Sequence, residues 1–171
     1  MQALFNLLAA SPCPLLVVGG HALTAYGVVR QTIDVDCLIA ADDTNALAQI
    51  LKGNGYREMG RTENAVRYAN SAPELPDVDV LLVDGATFEK LFAESNILRR
   101  GQHAFRVPSL RHLVALKLHA IRNDARREAR DFADIAELLR ANPGKISRQE
   151  LKQIAQQFAP AEFETKLLTL L

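Results

Sequence analysis

Apolar residues fall along this chain in two rhythms, and the change comes near residue 108. Before it, short apolar runs alternate with Gly, Pro and Asp; after it, apolar positions recur at helical spacing. The spacing predicts a helix over 2–10, stopped by Ser11-Pro12-Cys13-Pro14. The fully apolar run 15–18 predicts a buried central strand, Gly19-Gly20 turns the chain, and residues 21–26 make about two helical turns before Gly27. A second strand follows over 32–40. Asp42-Asp43-Thr44 can cap a helix running to Lys52, which Gly53-Asn54-Gly55 ends. Short strands are expected at 56–59 and 65–69, a loop at Pro73 and Pro76, and a clear strand over 78–83. Asp84-Gly85 then leads into a helix predicted over 87–98, and 103–107 reads as the last strand.

From Pro108-Ser109 onward, Leu110, Leu113, Leu116, Lys117 and Ala120 share helical spacing, and a second helix is predicted over 128–140. Asn142-Pro143-Gly144 breaks it, the capping box Ser147-Arg-Gln-Glu150 starts a helix to Phe158, and an amphipathic turn or two runs from Pro160 to Leu171. The fold class expected is α+β: a mixed β-sheet with flanking helices over 1–107, followed by a helical C-terminal lobe over 108–171.

Composition narrows the classes. With 171 residues, 49% of them hydrophobic, the chain can bury a real core, which excludes general disorder. No apolar segment approaches the roughly 20 residues that span a bilayer, and residues 1–10 lack a basic leader, so they read as a first helix rather than a signal peptide. No membrane role is expected. Cys13 and Cys37 match no zinc spacing and are expected as reduced thiols in a cytoplasmic protein. The net charge is zero but uneven: residues 31–98 hold twelve acids against five bases, and residues 99–130 hold nine bases against two acids. The neutral total argues against a general nucleic-acid coat. The asymmetry fits metals on one wall and phosphates on another, or equally two solvated faces.

Candidate chemistry concentrates in three acids. Asp34 and Asp36 flank Val35 at the head of an apolar strand, and side chains two apart in a strand share a face. Asp79 sits between Val78 and Val80 at the head of Leu81-Leu82-Val83. A carboxylate buried beside such runs costs several kcal/mol unless a cation offsets it, and Mg²⁺ takes carboxylate and phosphate oxygens. If the two strands are neighbours, the three acids can share one or two metals. Turn residues and helix caps explain such acids as well, and Asp77, just after Pro76, is left out of the site on that ground. Gly19-Gly20 joins a buried strand to a helix start, where backbone N–H groups attract anions and the missing Cβ atoms allow close approach. It is neither a Walker loop nor a dinucleotide fingerprint.

Gly19-Gly20-His21-Ala22, Gly27, Arg30-x-Thr32-x-Asp34-x-Asp36 and Asp79-Val-Leu together resemble the DNA polymerase beta-like nucleotidyltransferase superfamily. Ser109-Leu-x-x-Leu113-Val-Ala-Leu-Lys117 and Arg130-Asp131-x-x-Asp134-Ile135 are similar to the helical part of the nucleotidyltransferase toxins of abortive-infection systems. The resemblance implies transfer of a nucleoside monophosphate from an NTP to an acceptor hydroxyl on a protein, RNA or small molecule, with release of pyrophosphate. It implies that Gly19 and Gly20 cradle the triphosphate, that Asp34 and Asp36 hold Mg²⁺ (or Mn²⁺), and that Asp79 completes the metal site and helps deprotonate the acceptor. A cognate antitoxin or regulator is the partner such a toxin implies. Gly20 stands where many members carry Ser, which removes one hydroxyl donor to phosphate. The alternative reading is a catalytically silent nucleotide-binding or protein-interaction module of the same fold.

Lys117 interrupts an apolar helical face and either reaches toward the phosphates or snorkels from a partly buried position. Asp131 and Asp134 share a face and either touch the acceptor or pair with Arg127 and Arg130. Arg30 either neutralises phosphate or pairs with Asp34 or Asp36. The four histidines form no H-E-x-x-H motif, and no serine sits in a G-x-S-x-G elbow.

Overall fold

The computed structural model describes residues 1–72, 74–160 and 162–170, with the backbone alone at Arg100, so Pro73, Ala161 and Leu171, which the sequence reading placed in a loop and in the final turns, lie outside the described residues. The chain divides into two compact units: Met1–Ala25 with Arg30–Pro108, and Tyr26–Val29 with Ser109–Leu171.

The first unit runs α1 (Gln2–Ala9), β1 (Leu16–Val17), α2 (Gly19–Leu23), β2 (Val35–Ala40), α3 (Thr44–Gly53), β3 (Tyr56–Arg61), β4 (Ala65–Asn70), β5 (Val78–Val83), α4 (Gly85–Ala93), β6 (Asn96–Arg100) and β7 (His103–Val107). Its seven strands form one mixed sheet in the order β3-β4-β5-β2-β1-β7-β6. β2 lies parallel to β5 and antiparallel to β1, while β4 lies antiparallel to β5. The central strands are short and apolar because they are covered: Leu16, Val17, Val35, Cys37, Leu38 and Ile39 are fully buried. Toward β4 the pattern alternates. Val66, Tyr68, Val78 and Val80 face the core, while Arg67, Asp79 and Asp36 take the positions between them. Phe5 of α1 packs on Phe105 of β7, with ring centroids 5.1 Å apart.

Two elements depart from the sequence expectation. The helix predicted over 87–98 ends at Ala93, and Asn96–Arg100 is an edge strand paired antiparallel with β7. The second strand starts at Val35 rather than residue 32, so Asp34 lies in the bend just before it.

The second unit is helical: α5 (Leu110–Asn123), α6 (Glu128–Ala141), α7 (Arg148–Phe158) and α8 (Phe163–Leu168). Leu113, Val114, Leu118, Ile135, Leu138, Leu151 and Leu167 make its core. Ser147 caps α7, and Glu150 returns a bond to the Ser147 amide, which completes the capping box. The short segment Tyr26–Val29 belongs here because Val28 is buried and the Asn142 amide donates to the Tyr26 carbonyl at 2.9 Å. Among the described residues no helix is long and apolar enough to cross a membrane.

Candidate active site

Three strands bring the first unit's charges together. In the β2–β5 register Asp36 stands directly opposite Asp79, and in the β4–β5 register Asp79 stands opposite Arg67. Directly opposed residues share a face, so Asp36, Asp79 and Arg67 form one row across the sheet. Asp34 and Asp77 enter the row from just before β2 and β5. The Val35 amide donates to the Asp77 carbonyl at 3.0 Å, which holds these two entry points side by side.

Arg67 brings a positive charge to this cluster. Its Nη2 donates to Asp77 Oδ2 at 2.8 Å and lies 3.8 Å from Asp34 Oδ2, and its Nε lies 3.8 Å from Asp79 Oδ1. The hydrogen bond it donates to Asp77, and then the charges of Asp79, Asp77 and Asp34, raise the guanidinium pKa above its ordinary value. Beneath the row, burial pushes the Cys37 thiol far up, and the negative charges of Asp36 and Asp79 push it further. Cys37 is therefore a neutral core residue, and both cysteines are free.

The glycine pair is required by what surrounds it. Gly19 has φ +58°, and a Cβ built there would collide with the Asp36 carboxylate. A Cβ at Gly20 would press on the Thr32 side chain at 3.0 Å. Thr32 in turn donates from Oγ1 to the Asp34 carbonyl at 3.2 Å, so it shapes the bend that presents Asp34. The Val18 amide donates to the Asp36 carbonyl at 2.9 Å, which fastens the glycine turn to β2. The helix begins at Gly19 itself and is only five residues long, α2 (Gly19–Leu23), followed by a 3₁₀ turn over Thr24–Tyr26. An anion held here would rely on local amides more than on a long helix dipole.

The donor chemistry suits a hard divalent cation: carboxylates on neighbouring strands, with a backbone lacking Cβ against one of them. Arg67 already stands among three of those acids as a cation. In that arrangement no three His, Cys, Asp or Glu side chains among the described residues are grouped to hold a metal ion.

Arg30 is half-buried in the segment leading to Thr32. Lys117 belongs to the helical unit, where its buried ammonium donates to Asp131 Oδ1 at 2.9 Å and Asp134 Oδ2 at 2.6 Å. Arg127 Nε donates to the other Asp131 oxygen at 2.8 Å, and Arg130 lies 4.0 Å away. Burial alone would raise the Asp131 pKa, but the charge and hydrogen bond of Lys117, reinforced by Arg127, outweigh it and leave the carboxyl below its usual range. Arg67 and Asp77 are the residues that reading the sequence missed at the acid row. The alternation of Val66, Arg67 and Tyr68 marked Arg67 as facing away from the core, but nothing local says that β4 lies beside β5.

The sequence matches the family described as uncharacterised nucleotidyltransferase over residues 1–171. The chain belongs to this nucleotidyltransferase family. No curated protein matches the sequence. Among solved structures, the fold is similar to ANT(2″)-Ia in complex with adenylyl-2″-tobramycin, at 14% identity and TM-score 0.69, covering 92% of this chain and 95% of that one. It is also similar to the lincomycin-bound lincosamide antibiotic adenylyltransferase LnuA, at 13% identity and TM-score 0.57, covering 80% and 92%. An antigenic nucleotidyltransferase-like protein from Paracoccidioides brasiliensis aligns at 17% identity and TM-score 0.57, covering 98% and 89%. The nucleotidyltransferase fold with its mixed sheet and C-terminal helices, expected from the sequence, is the fold observed.

Proposed function

We propose that this member of the family transfers a nucleoside monophosphate from an NTP to an acceptor hydroxyl and releases pyrophosphate. The observation that carries the reading is the placement of Asp36 opposite Asp79 with the Gly19 backbone against the Asp36 carboxylate. Asp34, Asp36 and Asp79 would hold Mg²⁺ or Mn²⁺, which supplies charge neutralisation for the attacking and leaving oxygens when bound. The Gly19 and Gly20 amides receive the triphosphate where no Cβ blocks its approach. Asp79 takes the proton of the acceptor hydroxyl as its oxygen bonds to the α-phosphorus, and the bond from that phosphorus to the bridging oxygen of pyrophosphate breaks.

Two structural relatives carry a small-molecule antibiotic or its adenylylated form, which puts hydroxyl-bearing small molecules first among the acceptors to test, ahead of RNA and protein. Incubating the protein with α-labelled NTPs, Mg²⁺ and each acceptor class should move label to one class and release pyrophosphate. Label transfer to none of them, with no pyrophosphate, contradicts the reading. Arg67's hold on Asp34 and Asp79 favours a second reading, a module that binds nucleotide without turnover. NTP binding without pyrophosphate release across all acceptors would select it.

A further inference from the structure

Arg67 is paired in a way that the rest of the row does not require. Among the described residues its close bond goes to Asp77, which lies at the foot of β5, while its contacts to Asp34 and Asp79 are both 3.8 Å. It is half-exposed and reaches the acids from β4, the strand on the far side of β5 from β2. Four acids, Asp34, Asp36, Asp77 and Asp79, converge here, and their mutual repulsion needs a counter-charge whether or not a metal is bound. A guanidinium anchored at Asp77 can serve two of the others and release them without leaving the site.

We propose that Arg67 is an exchangeable counter-ion that competes with the divalent cation for Asp34 and Asp79, and so sets how tightly the acid row takes metal. This rests on the nucleotidyltransferase reading of the row. Without metal, Arg67 holds the acids together from its Asp77 anchor. When metal enters, the guanidinium keeps Asp77 and gives up the two long contacts. Arg67 is thus a positioning residue acting through Asp34 and Asp79, and its effect appears in metal affinity before any chemistry.

The test titrates Mn²⁺ into wild-type protein, Arg67→Gln and Arg67→Lys, reading free Mn²⁺ by electron paramagnetic resonance with and without NTP. Removing one unit charge from a half-exposed cluster should tighten Mn²⁺ binding by about five- to tenfold in Arg67→Gln. Arg67→Lys, which keeps the charge but loses the fork, should fall between. With EDTA present, Arg67→Gln should melt below wild type, and Mn²⁺ should close that gap. A purely structural Arg67 would shift melting and leave affinity alone, and that result overturns the proposal. Equal or weaker Mn²⁺ binding by Arg67→Gln, while wild type binds, overturns it too and leaves the metal site standing. Weaker NTP binding with unchanged Mn²⁺ affinity assigns Arg67 to phosphate instead and also overturns it. Absence of Mn²⁺ binding in all three proteins, with or without NTP, removes the metal reading itself.

Discussion

Each unit of this protein gathers acids around a cation, and the two clusters differ in one physical respect. In the helical unit, Lys117, Asp131 and Asp134 are sealed, with side-chain exposures of 8%, 0% and 9%, and every contact among them is a close hydrogen bond. In the sheet unit, Asp34, Asp77 and Asp79 retain 44%, 32% and 34% exposure, and two of the three contacts to Arg67 are long. Sealed charges must be matched to each other permanently, because nothing else can reach them. Half-open acids with a loosely held cation can exchange that cation for a ligand. Burial and contact length, not the number of acids, separate a structural ion network from a candidate site.

The contrast breaks most sharply at Lys117. Lys117→Met takes from the buried Asp131 and Asp134 the ammonium they share, so urea unfolding should show a loss of about 3–5 kcal/mol. A loss below about 1 kcal/mol would mean that the cluster is solvated and not a sealed network. Gly19→Ala comes next. Its left-handed backbone and the Asp36 carboxylate in its path should cost about 2 kcal/mol in stability and displace Asp36. A fully stable Gly19→Ala protein would show that the turn relaxes freely and does not press on the acid row.

Acid sharpens the same comparison with a smaller effect. The Asp131 carboxyl is held below its usual range in the fold, so its contribution to stability is complete above the unfolded value near pH 4 and is lost as pH falls through the folded one. Urea midpoints measured from pH 7 to pH 2 should therefore fall more steeply in that acid window for wild type than for Asp131→Asn, which lacks that titration throughout. Parallel curves would show that Asp131 gains nothing from Lys117 and Arg127.

What could be read from residues alone follows the same line between local and distant causes. Strands β2 and β5, the Gly19-Gly20 turn and the Ser147–Glu150 box are set by neighbours in sequence, and the pattern reveals them. β6 is not of that kind. Leu98 continues the helical spacing from Leu91 at seven residues, no Gly or Pro intervenes, and Asn96–Arg100 becomes a strand through its pairing with β7. Arg67 is similar: its role depends on β4 lying against β5 in a register that sets it opposite Asp79. Lys117 looked equally able to face phosphate or solvent, and only the packing of α5 on α6 shows both Asp131 and Asp134 at its ammonium. Asp77 read as an ordinary turn acid after Pro76, yet it is the anchor of Arg67.

The central claim is that the half-open acid row works on nucleotide and does not hold the fold together. Pyrophosphate release from NTP by wild type and Asp36→Asn, with Mg²⁺ or EDTA and with urea unfolding run in parallel, tests it most directly. Wild type should turn over only with the divalent cation. Asp36→Asn should lose about a thousandfold or more of that activity, while its unfolding midpoint stays equal or rises as one like charge is removed. Asp36→Asn turning over as fast as wild type, or losing stability in step with activity, would contradict the claim.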